Sequence, residues 1–83
     1  MKFKAEIDVM PLEALLDPQG KAVSRSVGKL GLNEISGVRI GKHISLFIDA
    51  ETQDLASAKV DEACKKLLAN EIMEYYSFEL KEV

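Results

Sequence analysis

The sequence predicts an α+β domain in the order β-α-β(long)-α-β, ferredoxin-like in each half, with an antiparallel sheet and two helices on one face. Three observations predict it. Residues 3–9 alternate with period two, residues 38–48 carry an aliphatic ladder of one parity, and residues 53–69 carry an apolar stripe at helical spacing. Eighty-three residues suffice for one domain and not two, so the span 1–83 reads as a single unit.

In the first segment Phe3, Ala5, Ile7 and Val9 point one way and Lys4, Glu6 and Asp8 the other. That is a half-buried strand, ended by Met10-Pro11. Next comes Leu15-Leu16-Asp17-Pro18-Gln19-Gly20. Asp17 suits an N-cap and Pro18 the first helical position, which predicts a helix over 18–30. Val23, Val27 and Leu30 share one face of it. Ser24, Ser26 and Gly28 make it intrinsically weak, so packing must hold it. Gly31 is the natural C′ stop.

Val38, Ile40, Ile44, Leu46 and Ile48 share one parity. A two-residue hairpin at Gly41-Lys42 would break that phase, whereas a continuous strand keeps it, as does a three-residue turn at Gly41-Lys42-His43. The long strand, bent near Gly41, is the favoured reading, and folding back would give βαββαβ. At ~3.3 Å per residue, a strand of about 14 residues spans some 45 Å, longer than a domain of this size. Its far half would then pair with a second copy, and a dimer follows. Lys42 falls on the apolar side, where the core ends or another chain meets it.

The second helix is expected over about 53–69, capped by Thr52 or Asp54, with Ala56, Val60, Ala63, Cys64 and Leu67 as its stripe and Asn70 as its C-cap. The last strand runs over about 74–82, with Tyr76, Phe78 and Leu80 in phase.

Eleven Lys+Arg against 14 Asp+Glu give a net charge of −3, which argues against non-specific nucleic-acid binding. No apolar run approaches the ~20 residues of a membrane span. The N-terminus enters a strand pattern directly, so no signal peptide is expected, and a single thiol fits the cytoplasm. Cys64, the only cysteine, excludes an internal disulfide and lacks the partners of a zinc site. The core is thin for so short a chain, which makes association the available source of stability.

No catalytic, cofactor or metal constellation emerges. Cys64 lies on the apolar stripe without the sharp glycine-flanked turn of a nucleophile, and packs as a small hydrophobe. His43, opposite in phase to the aliphatic residues, reads as a solvated side chain or an interface or pH-responsive group. Gly41-Lys42 lies inside a strand pattern rather than opening a helix, unlike a phosphate loop. Arg39 and Lys42 fit both partner pairing and solvation. Asp17 and Gln19-Gly20 fit both helix capping and a contact loop. Tyr75 points outward and fits an interface. The partner-contact candidates are therefore Asp17, Gln19, Gly20, Arg39, Gly41, Lys42 and Tyr75.

Three segments together resemble one family. They are Leu16-Asp17-Pro18-Gln19-Gly20, Val38-Arg39-Ile40-Gly41-Lys42 and Ala63-Cys64-Lys65-Lys66-Leu67-Leu68-Ala69-Asn70, followed by a short strand ending near Val83. The chain resembles the PurS-type small subunit of phosphoribosylformylglycinamidine (FGAM) synthase over essentially its whole length. It departs at Glu71, where the family often has proline, and at Pro11 and Glu13, where lysine is common. The resemblance implies a subunit without catalytic residues in de novo purine biosynthesis. There a glutaminase subunit releases ammonia, and a large synthetase subunit uses ATP and Mg to convert FGAR to FGAM. The small subunit would bridge the two, assist ammonia transfer, bind no cofactor, and form a dimer or dimer of dimers. The alternatives are a stand-alone dimeric regulatory domain of ferredoxin-like shape that binds a small metabolite, an RNA-binding domain, and a small enzyme. The absent basic aromatic surface disfavours the second, and the absent constellation disfavours the third.

Overall fold

The computed structural model describes residues 1–13 and 17–83. Leu15, and Leu16 of the first family segment, lie outside the described residues. The elements are β1 (Lys2–Pro11), α1 (Pro18–Lys29), β2 (Lys42–Asp49), α2 (Gln53–Ala63) and β3 (Glu74–Glu82), with a π-helical turn, Cys64–Leu68, continuing α2.

β1 takes the centre of the sheet because its alternation gives it one fully apolar face. The order is β2-β1-β3, and both pairings are antiparallel. The register stacks apolar residues in rows: Leu46, Ala5 and Leu80, then Ile44, Ile7 and Phe78. Phe3, Ala5, Ile7 and Val9 are buried, and across them lie Ala56, Val60 and Cys64 of the second helix, with Ala69 just beyond. Burying a side chain such as Ile7 or Val60 contributes about 1.5–3 kcal/mol. One strand and one helix therefore supply nearly all of a small core.

Thr52 caps α2: its Oγ1 accepts from Leu55 N–H at 3.2 Å. Tyr76 O–H donates to Asp61 at 2.5 Å and ties α2 to β3. That bond pushes the Tyr76 phenol up to about 12 and lowers the Asp61 carboxyl. The end of α2 departs from the expected stripe. Ala69 N–H donates to Cys64 C=O at 2.9 Å, five residues back, so the last turn is wider than an α-turn. Each residue advances less around the axis. Leu68 consequently joins the core, while Leu67, expected inside, is 81 % exposed. Asn70 is not the C-cap, a position held by Ala69. It builds the following turn instead, where its Oδ1 accepts from Ile72 N–H.

α1 matches expectation at both ends. Asp17 caps its start. Gly31, with φ +83°, closes it through Gly31 N–H to Gly28 C=O and Leu32 N–H to Val27 C=O. Its placement was not legible: α1 makes no extensive contact with the sheet, and Gly20 is its only buried residue.

The middle strand is shorter than the ladder suggested. It begins at Lys42, and the last pair with β1 is Val9–Lys42. Val38–Gly41 leaves the sheet, because β1 is ending at Pro11, which has no N–H to offer. The chain does not fold back at Gly41. Elongation comes instead from α1 standing beyond the sheet. The long axis is 52 Å and the radius of gyration 16.4 Å, against about 12 Å for a compact domain of this length.

Candidate interaction surface

The two glycine-bearing segments singled out in the sequence meet each other. Asp17 sits at their junction. Its Oδ1 accepts from Gly20 N–H at 3.0 Å and its Oδ2 from Ile40 N–H at 3.1 Å. Arg39 Nε lies 3.6 Å from the same Oδ2, and Arg39 Nη2 donates to Pro11 C=O at 2.5 Å. One carboxylate thus caps α1, satisfies a backbone donor of the segment leading into β2, and neutralises a guanidinium. The Gly20 and Ile40 amides hold the Asp17 carboxyl below the usual range, and Arg39 adds to the effect.

Both glycines are required by close approach. A Cβ on Gly20 would lie 2.4 Å from Val38 C=O and 2.6 Å from Asp17 Oδ2. A Cβ on Gly41 would lie 2.3 Å from Val9 C=O and from Met10 Sδ. Asp17, Gly20, Arg39 and Gly41 therefore build an internal latch that sets where α1 stands. The other candidates lie outside it. Gln19 is exposed on the first turn of α1. Lys42 lies 3.9 Å from Glu74 across the end of the sheet. Tyr75, opposite Met10, is 47 % exposed on the face turned away from α2.

Beside the latch is an open cleft of about 490 Å³ lined by Lys21, Ser24 and Arg25 of α1, with Gly37, Val38 and Arg39 opposite. The α1 residues were not picked out from sequence, although their i, i+3, i+4 spacing puts them on one helix face. A second cluster was missed for want of the register. His43 stands directly opposite Asp8, with Glu6 on the diagonal. Its Nδ1 bonds Asp8 at 2.7 Å and its Nε2 bonds Glu6. Asp8, then Glu6, raise the imidazole pKa, and the Glu6 carboxyl falls to about 2 chiefly through His43. His43 is thus paired rather than merely solvated.

Cys64 is buried beneath α2, while His43 lies on the opposite face of the sheet, so the two do not form a nucleophile–base pair. Burial pushes the thiol up. Among the described residues no group of three or more His, Cys, Asp or Glu could hold a metal ion, and no helix is long and apolar enough to cross a membrane.

The surface is apolar for so charged a chain. Among the described residues twelve large hydrophobic side chains are exposed, including Leu30, Phe47, Leu55, Leu67 and Ile72. Ile44, Leu46 and Ile48 on the α2 side of β2 are only half-buried, since α1 does not cover them.

The family model PurS, described as phosphoribosylformylglycinamidine (FGAM) synthase, matches residues 4–82. The chain belongs to the PurS family. It is a PurS-type subunit of FGAM synthase in purine biosynthesis, with the three-stranded, two-helix α+β fold of that family. The PurS subunit of Bacillus subtilis is 42% identical over 81 residues, covering 98% of this chain and 95% of that protein. The Synechocystis PurS subunit is 43% identical over 78 residues, covering 94% and 78%. The crystal structure of B. subtilis PurS overlays with a TM-score of 0.86 at 41% identity, covering 96% of this chain and 99% of that one. The PurS chain matched in the structure of PurLQS from Thermotoga maritima overlays at 0.90 and 31% identity, covering 98% and 99%.

Proposed function

We propose that this chain is the non-catalytic subunit that bridges the glutaminase and synthetase subunits of FGAM synthase and assists ammonia transfer between them. The observation that carries the reading is the near-complete overlay, over 98% of this chain, on a chain of the PurLQS structure. At neutral pH ammonia in bulk water is mostly ammonium, which is not a nucleophile. Holding two active sites in register limits escape and protonation of the neutral molecule. A rigid sheet with a separately latched helix offers two surfaces for that purpose.

ATP and Mg act at the synthetase subunit, and this chain binds no cofactor. It works in the cytoplasm as a dimer or dimer of dimers. The half-covered inner face of β2 and the exposed apolar residues support self-association, since such surface is otherwise a liability. Gln19, Lys42 and Tyr75 face partners, while Asp17, Gly20, Arg39 and Gly41 set the shape that presents them. The test is reconstitution of the glutaminase and synthetase subunits with and without this chain, comparing FGAM formed from glutamine and from ammonium salt. Omission should abolish most of the glutamine-driven rate and spare the ammonium-driven one. Equal glutamine-driven rates with and without the chain would refute the proposal.

A further inference from the structure

α1 is the element that the sheet does not use. Val23 on it is exposed at 39 %, and Leu30, its C-cap, at 75 %. Its charge is one-sided as well. Lys21, Arg25 and Lys29 follow at i, i+4 and i+8, so they share one face over about 12 Å of helix. The helix contains no Asp or Glu. A segment of charge +3 therefore stands on a chain of formal charge −3.

Among the described residues none of these three cations joins an ion pair, whereas Lys4, Lys42, Lys65 and Lys66 each do. The cleft repeats the pattern. Asp17 and Arg39 in its wall are committed to the latch, and Lys21 and Arg25 exceed the one other carboxylate there, that of Glu13.

We infer that α1 is a docking helix whose basic stripe, Lys21–Arg25–Lys29, receives the carboxylates of an acidic surface on one of the two partner subunits. The inference rests on the bridging role proposed above. Arg25 can take a carboxylate through two parallel N–H donors, and Lys21 and Lys29 act as point charges on either side. Val23, two residues on from Lys21, lies on the opposite side of the helix, so the contact rests on the three charges. A nucleic acid fits less well, because Glu13 and Asp17 line the same cleft and the chain as a whole is acidic.

The test is a triple variant of the full chain, Lys21→Glu with Arg25→Glu and Lys29→Glu. Its matched control changes charge equally on the far face of the sheet: Lys2→Glu, Lys4→Glu and Lys81→Glu. Binding to each purified subunit is measured by interferometry at about 50 and about 300 mM NaCl. Circular dichroism and sedimentation check folding and self-association, and a Gln triple at the α1 positions replaces the Glu triple if that does not fold. The wild type should bind one subunit in a salt-sensitive way. The α1 variant should lose at least about tenfold at low salt, and the sheet-face control less than about threefold. Unchanged affinity of the α1 variant, or equal loss in both variants, would overturn the inference. So would salt-sensitive binding to duplex DNA or phosphatidylserine vesicles together with none to the subunits through α1. A wild-type chain that binds neither subunit would refute the bridging role itself, and the inference with it.

Discussion

Replacing Gly20 by alanine tests the latch. Two effects of opposite sign compete. Alanine is the better helix former by at most about 1 kcal/mol. Against that, the added Cβ would lie 2.4 Å from Val38 C=O, and a backbone carbonyl cannot swing aside as a long side chain can. Overpacking of this kind costs about 1–3 kcal/mol. It also pushes on Asp17, 2.6 Å from the new carbon, and so on the bonds Asp17 makes to Ile40 and Arg39. The clash outweighs the propensity, and Gly20→Ala should destabilise by roughly 1–2 kcal/mol. Gly28→Ala is the internal control. Its Cβ would meet only Asn33 Oδ1 at 3.7 Å, an ordinary contact, so propensity acts alone. That variant should be stabilised by about 0.5–1 kcal/mol. Urea unfolding followed by circular dichroism reads both, at one fixed protomer concentration because association adds to apparent stability. A Gly20→Ala protein as stable as wild type would show that α1 does not press on Val38, and the latch would fail as described.

The π-turn reverses an ordinary helical expectation: Leu68→Ala should cost about 1–2 kcal/mol and Leu67→Ala less than about 0.5 in the same assay, and the opposite ranking would contradict the turn. His43 is the only histidine, so NMR titration reads it alone. Its folded pKa should lie above 6.5, and the stabilisation it lends should be complete below that unfolded value and vanish as pH rises through the folded pKa. An unshifted midpoint, or one unmoved by Asp8→Asn with Glu6→Gln, would dissolve the clamp. Cys64 should react with a disulfide reagent far more slowly in the native protein than in urea, since it is buried and its thiol pKa is raised. Equal rates would place it at the surface. Val60→Ala should cost about 2 kcal/mol through the cavity it leaves beneath α2.

The sheet was legible because its signal is local. Phe3, Ala5, Ile7 and Val9 alternate without interruption, and each became buried. The caps at Asp17 and Thr52 and the stop at Gly31 rest on side-chain oxygens and a positive φ that act within a few residues, and each formed as expected. What failed depended on distant parts of the chain. The phase from Val38 to Ile48 is continuous in the sequence, yet the ladder stops at Lys42 because Pro11 has no N–H to donate at the next position. Leu67 and Leu68 are equally apolar, and only the hydrogen bond from Ala69 to Cys64 decides which of them is covered. The pairing of His43 with Glu6 and Asp8, 37 and 35 residues away in sequence, needs the β1–β2 register. The segments Asp17–Gly20 and Val38–Gly41 were visible as unusual, but not that they would grip each other. Their glycines now have a physical reason in the carbonyls of Val38 and Val9.

Sedimentation of purified glutaminase and synthetase subunits, with and without this chain, tests the bridging claim most directly. One species containing all three should appear when the chain is added, and the two large subunits should run apart when it is left out. Co-sedimentation of those two in its absence, with the chain running alone as a monomer, would contradict the account.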